Sequence, residues 1–405
     1  MTTVTTLSKN QNIALYILII GLFFIQPFGA ITLLVLICYA SAGQGTAIWR
    51  RNLIILISLS ILLLAIINSS KVNDNDLYYY IKWFKQSGNV DLVNHLSNQQ
   101  KKSEVAYAIY IWFVNHLISD NEAVFKFLTT VIQYIFLNLA TLKFCNKITV
   151  NKTLVMMTVM FTCFNPYVFS LSIQLLRQSL AVSIFLYVMV EHCLYNKNHW
   201  VLIALCPLIH TMTLLLVVLL FLPTLKKPIQ KNIPAYSIII LVLASISFIS
   251  NYLLSLSLFN DTASYALQRA SMKKVFDLGE ATPVAILLAI VIFSTSFYCG
   301  QIQTRKIINP INNGVRQLFN IPTLLSIFVL LNVNLSEIFA RFLMLLYPFI
   351  PFIFISLFKN SKISRQVFLW GSIMLIIIFI YLVQHSVWSY KYLDNILYSG
   401  LLYLI

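Results

Sequence analysis

Charge is what this sequence has least of. Of its 405 residues only 10% are Asp, Glu, Lys or Arg, and just 12 are acidic. A soluble globular domain carries about 25% charged residues, so a soluble enzyme is excluded. Glycine is scarce too. Ten glycines leave no Gly-rich phosphate loop, and neither a Walker motif nor a G-x-S-x-G turn occurs. Cys38, Cys145, Cys163, Cys193, Cys206 and Cys299 are scattered, mostly inside apolar runs, with no CxxC or other metal-ligand spacing. Such spacing indicates neither a disulfide framework nor a zinc site. No acidic cluster is dense enough to hold a divalent metal, and no cofactor is indicated. Internal repeats and Gly/Ser-rich linkers are missing as well.

What is present is apolar. Hydrophobic residues make up 59% of the chain, and mean hydropathy is +0.83. Phe and Tyr, at 29 and 21, are too abundant for disorder. Apolar runs of roughly 20 residues recur along the whole length, the length a helix needs to cross a bilayer. They do not alternate apolar and polar residues, as barrel strands would. The reading is an all-α polytopic membrane protein of about 10–13 transmembrane or re-entrant helices, with residues 1–405 forming one integral domain. Candidate spans cover about 12–38, 52–67, 124–142, 153–171, 174–191, 235–258, 283–300, 317–332, 337–358 and 367–385. Lys9 and the apolar run from Ile13 resemble a signal peptide. The apolar sequence resumes after Gln26-Pro27 with no A-x-A site, so a retained first span is expected.

The net charge of +16 has a membrane explanation. Loops carrying Arg50/Arg51, Lys143/Lys147/Lys152, Lys197, Lys226/Lys227/Lys231, Arg305/Lys306/Arg316 and Lys359/Lys362/Arg365 fall on one side. That side holds 15 of the 28 basic residues and a single acid, Glu191. Basic loops stay cytoplasmic, so nucleic acid need not be invoked. The map requires two segments not to cross. Residues 105–118 are read as an interfacial or re-entrant helix, and 200–223 as two half-helices meeting near His210. The competing reading of 200–223 is one span kinked at Pro207. Non-helical backbone at membrane depth survives only inside protein or beside a wet cavity, so a break near His210 points to a cavity. The main outer loops are then about 68–104 and 259–282.

Several polar residues gather towards the outer side. Asp76 precedes Tyr78, Tyr79 and Tyr80 just after the second span. A carboxylate beside aromatic rings suits a sugar, although interfacial tyrosines are common. Arg177 opens a span, next to Gln178 and after Gln174. An arginine there faces a cavity or a ligand path, unless it snorkels to head groups, and its guanidinium could grip a phosphate. Arg341 follows Glu337 by four residues. It either pairs with that acid or adds a second cation to the same cavity. His210, at the expected helix break, is a core histidine or a proton acceptor. The loop 261–280 offers Arg269 as a further ligand contact. His116 and Asp120 could form an acyl-transfer pair, but they stand alone in the sequence.

The order of these segments resembles the EpsG-type branch of Wzy-like polysaccharide polymerases over about residues 50–350. The matching pieces are Asp76 to Tyr80, the run Leu176-Arg177-Gln178-Ser179-Leu180-Ala181, His210-Thr211, and Ala340-Arg341 with Tyr347. Two departures stand out. Ser103-Glu104-Val105 replaces the usual Glu-Pro, and Thr211 follows His210 where Ser is common. The resemblance implies a GT-C-like membrane glycosyltransferase of the bacterial cytoplasmic (inner) membrane. It implies joining undecaprenyl-diphosphate-linked oligosaccharides at the outer face, without metal, to build O-antigen, capsule or exopolysaccharide. Arg177, Arg341, Arg269, Gln178, Tyr80 and Tyr347 would then contact the substrate and its diphosphate, with Asp76 and His210 as candidate bases. Expected partners are the lipid-linked donor and acceptor, the bilayer, a chain-length regulator and a flippase. The alternatives are a flippase or exporter of the same lipids, which would favour repeated halves, the related O-antigen ligase, and, on weaker grounds, a membrane acyltransferase.

Overall fold

The computed structural model describes residues 9–43, 45–97, 104–148, 150–255, 282–303, 310–386 and 389–404. Among them the secondary structure is helical, apart from one antiparallel bridge between Lys71 and Tyr390. Among the described residues, eight helical stretches are long and apolar enough to cross a membrane. The chain is an all-α, multi-pass membrane protein.

Three helices open the fold: α1 (Lys9–Ile25), α2 (Pro27–Ser41) and α3 (Thr46–Ser69). The expected single span 12–38 is in fact a hairpin of α1 and α2, broken at Gln26 with Pro27 starting the second helix. Asn52 settles this. Its amide donates to Ser41 at 3.1 Å, and its oxygen accepts from the Tyr16 hydroxyl at 2.5 Å. In-line helices would separate residues 16 and 41 by about 37 Å. Proline supplies the cause, since it lacks an N–H and favours a helix start. The hairpin brings Lys9 to the end of the bundle that carries Arg50 and Arg51, here called the basic end.

At the opposite end, α3 leads into α4 (Asn75–Ser87), α5 (Leu92–Ser97) and α6 (Val105–Leu117). The segment expected as loop 68–104 therefore contains two helices. In α4, Leu77, Tyr80, Ile81 and Phe84 are buried at helical spacing, which seats one face on the bundle. The chain then runs down α7 (Glu122–Ile148), up α8 (Lys152–Cys163) and α9 (Pro166–Gln174), and down α10 (Leu176–Tyr195). Asn165 caps α9, accepting from the N–H groups of Tyr167 and Val168. The Tyr195 hydroxyl donates to the Lys143 carbonyl, which fixes the lower end of α10 at the basic end.

Next come α11 (Trp200–Ile209) and α12 (Thr213–Phe221). They form a re-entrant hairpin, as the charge map requires. Trp200 at the start of α11 stacks on Phe221 at the end of α12, with centroids 5.4 Å apart. A continuous kinked span would hold these rings about 31 Å apart. His210 sits at the tip, in extended backbone with φ −151° and ψ 115°.

The remainder comprises α13 (Ile233–Ser255), α14 (Thr282–Phe297), α15 (Pro310–Leu331), α16 (Ser336–Leu346), α17 (Ile350–Phe358), α18 (Arg365–Gln384) and α19 (Leu393–Tyr398). Gln317 of α15 donates to the Leu220 carbonyl, and Asn320 to that of Leu225. These bonds tie the foot of the re-entrant hairpin to α15. The spanning part of α15 is 83% buried and that of α10 is 78%, against 28% for α18. So α10 and α15 form the core, and α18 turns most of its surface to lipid.

Candidate active site

The site grows from the first turn of α10. Leu175 breaks the helix, with φ −114° and ψ 57°, so Gln174 ends α9 and Arg177 opens α10. Arg177 is buried, only 7% exposed. Its Nη1 donates to Oε2 of Glu104, the residue that precedes α6. The other oxygen, Oε1, lies 2.9 Å from Nδ1 of His210 and accepts from the Thr211 N–H at 3.4 Å. One buried carboxylate thus joins α10, the head of α6 and the tip of the re-entrant hairpin. A buried charge persists only when it is paired and hydrogen-bonded, and Glu104 meets both conditions.

Aromatic rings close around the guanidinium. Its Cζ lies 5.1 Å from the ring centroid of Tyr80, 5.2 Å from Trp83 and 5.8 Å from Tyr107. Each ring face offers a favourable quadrupole to the cation. Burial pushes the Tyr80 phenol above its ordinary value, and the positive charges of Arg177 and Arg341 partly offset this. Two donors inside the box have no hydrogen-bond partner: Arg177 Nε and the Tyr107 hydroxyl. An orphaned buried N–H on a cation is costly unless something occupies it.

The expected residues gather to different degrees. Asp76 is half-buried, one helical turn from Tyr80 on the same face of α4, and its charge acts on the Tyr80 phenol. Arg341, on α16, is half-buried, and its charge also reaches Tyr80. Gln178 donates through Nε2 to the Arg341 carbonyl at 3.1 Å, which ties α10 to α16. Tyr347 stands apart from the arginine box, its ring 5.3 Å from that of Tyr167. Gln174, expected beside Arg177, instead accepts from Lys71 Nζ at 2.7 Å. Arg269 lies outside the described residues, as does the Glu337 side chain expected to pair with Arg341. His116 stacks on Trp112 at 4.2 Å, with Nδ1 3.1 Å from the Trp112 carbonyl oxygen. Among the described residues, no three His, Cys, Asp or Glu side chains come together as a metal site would require.

Glu104 is the residue that sequence reasoning missed as a site member. Its signal was available: an acid directly ahead of the apolar run 105–118, where a helix would place it at membrane depth. The read segment 105–118 is α6, whose head is buried at Glu104 beside His210.

The arrangement can do three things. A cation with an unspent donor can receive an anion, a histidine oriented by a carboxylate can take a proton, and aromatic walls can cover both. The family model of the EpsG family matches residues 54–397, most of the chain. No curated protein matches the chain, and no solved structure does.

Proposed function

Because the chain belongs to the EpsG family of membrane polysaccharide polymerases, we propose that it joins oligosaccharides carried on a polyprenyl diphosphate, undecaprenyl in bacteria. The work is done at the outer face of the cytoplasmic membrane. With the basic end in the cytoplasm, the Arg177–Glu104–His210 cluster lies towards the outer face. The observation that carries this reading is the enclosed Arg177, paired on one side and with Nε–H unspent on the other.

In the proposed reaction an acceptor sugar hydroxyl attacks the anomeric carbon of the donor. The bond from that carbon to the diphosphate oxygen breaks, a new glycosidic bond forms, and the hydroxyl proton passes to a base. The diphosphate leaves as an anion, so its charge grows towards the transition state. Arg177 and Arg341 supply positive charge where it develops, with Arg269 as a further candidate contact. When His210 donates Nδ1–H to Glu104, the lone pair on Nε2 is the proton acceptor. Asp76 orients sugar hydroxyls from the neighbouring turn or serves as the base itself. A chain-length regulator and a flippase are the expected neighbours in the membrane.

The test uses purified full-length protein in lipid nanodiscs, supplied with lipid-linked repeat units from its host. Wild type should yield a ladder of longer lipid-linked glycans, and Arg177→Ala should yield none above background. Translocation of the units without any ladder would make the protein a carrier. Transfer of finished glycan onto a different lipid would make it a ligase.

A further inference from the structure

Two of the rings around Arg177 are carried by α4, and α4 is gripped at both ends by one helix. The chain enters α4 from a short linker, residues 70–74, through Asn75, whose backbone is left-handed with φ 44°. Asparagine takes that conformation more readily than most residues with a side chain. Both edges of the linker are tied down. On one, the Val72 N–H donates to the Ser389 carbonyl at 2.9 Å, and the Lys391 N–H to that of Ser70 at 2.9 Å. On the other stands Lys126, in the second turn of α7 and only 3% exposed. Its Nζ donates to the Lys71 carbonyl at 2.8 Å and to Asn73 Oδ1 at 3.2 Å. Asn73 donates through Nδ2 to Oε1 of Glu122 at 2.9 Å, one turn earlier on α7. The far end of α4 meets the same helix: Phe84 stacks on Phe125 at 4.5 Å, and Lys85 pairs with Glu122 at 2.8 Å. Between these two grips lie Tyr80 and Trp83, the rings that α4 lays on the guanidinium.

The contacts are unequal. Lys85 keeps 62% of its side chain exposed, and an ion pair in that setting contributes little. Lys126 is buried, and hydrogen bonds from a charged donor are the stronger kind. Packing alone does not call for a lysine there, since an apolar side chain of similar volume often serves a buried position as well or better. What a lysine adds is a charged donor on two fixed acceptors of the linker, with Glu122 Oε1 3.9 Å away to balance it. We propose that Lys126 is a positioning residue of the arginine box. It acts through the linker: by fixing residues 71–73 it sets where Asn75 launches α4, and so where Tyr80 and Trp83 stand against Arg177. The consequence for glycan transfer rests on the proposed function; the clamp itself does not.

The test uses the full chain in nanodiscs, labelled with fluorotryptophan and read by fluorine NMR. The Trp83 resonance is assigned by its loss in Trp83→Phe. Lys126→Met removes the ammonium at similar volume, and Asn73→Ala removes one of its two acceptors. Lys71→Met is the control: it takes away the side-chain bond to Gln174 but leaves the carbonyl that Lys126 holds. The Trp83 resonance should shift in Lys126→Met and, by less, in Asn73→Ala, while Trp200 on α11 and Trp370 on α18 keep theirs. In the ladder assay kcat should fall about tenfold in Lys126→Met and about threefold in Asn73→Ala, with KM within about twofold, because a misplaced wall weakens the transition state more than substrate binding. Lys71→Met should match wild type in both readouts. An unmoved Trp83 in both clamp variants overturns the proposal. So does movement of Trp200 and Trp370 along with it in both, which would make Lys126 a support of the whole bundle. A shifted Trp83 with unchanged kcat overturns it too. If Trp83 shifts as expected but wild type makes no ladder, the clamp stands and the proposed function fails.

Discussion

Two buried glutamates sit near opposite ends of α10, and each holds one basic residue and one histidine. At the basic end, Glu191 pairs with Lys143 and lies 3.5 Å from His199 Nε2. Towards the other end, Glu104 pairs with Arg177 and His210. The inventories are alike, but the enclosures differ. Lys143 and His199 keep 34% and 37% of their side chains exposed, whereas Arg177 and His210 keep 9% and 6%. Glu191 belongs to a continuous helix, while Glu104 joins three chain segments at helix ends. The first is a staple: it neutralises a carboxylate with partners that water or head groups still reach. The second encloses its charges among Tyr80, Trp83 and Tyr107, where electrostatic forces are least screened. On the proposed function, enclosure and chain breaks, rather than residue types, separate the reactive cluster from the structural one.

The sharpest way to break this comparison is to remove each cation. Arg177→Ala should lower glycan polymerisation about a hundredfold or more, the scale of losing one preorganised charge donor. Lys143→Ala should leave the rate per folded molecule unchanged. A nanodisc assay with lipid-linked units reads both. The carboxylates come next. Glu104→Gln should cost about tenfold to a hundredfold in rate, by releasing both the histidine and the arginine. Glu191→Gln should lower the thermal unfolding midpoint with little change in rate per folded protein.

A smaller effect is expected at the aromatic wall. Tyr80→Phe keeps the ring over the guanidinium but removes the hydroxyl, so the rate should fall only a few-fold, in line with about 1 kcal/mol for a single hydrogen bond. The smallest effect concerns pH. Lys71, just beyond α3, is buried, and desolvation brings its ammonium down from 10.5 to about 8. The unfolded chain, with an ordinary lysine, binds that proton more tightly than the folded protein does. Stability should therefore rise as pH climbs from about 8 to 10.5. Lys71→Met should flatten that slope in detergent-solubilised melts. Because Lys71 lies outside the arginine box, the variant should change the slope without changing polymer length.

Much of the fold was legible because its signals are strong. Apolar runs gave the spans, and the basic loops required 200–223 to turn back, as the Trp200–Phe221 stack shows it does. The first span misled because Gln26-Pro27 interrupts an apolar stretch that is long enough in total for one crossing but is folded as two short helices. Of the expected residues standing inside apolar runs, Arg177 and His210 meet on Glu104, and the charge of Arg341 reaches Tyr80. Glu104 escaped because pairing is a tertiary fact. Its partners lie 73 and 106 residues away in sequence, and an acid standing ahead of an apolar run does not by itself say which residues those are. Gln174 misled for a related reason: the break at Leu175 separates it from Arg177 and gives it to Lys71.

The central claim is that the enclosed glutamate cluster, and not its open counterpart, carries polymerisation. The most direct measurement is the length distribution of the surface glycan in a host lacking the gene and restored with Glu104→Gln or Glu191→Gln at equal membrane abundance. The account predicts long chains with Glu191→Gln, and chains collapsed towards a single repeat with Glu104→Gln. Long chains from both variants, or short chains from Glu191→Gln alone, would contradict it.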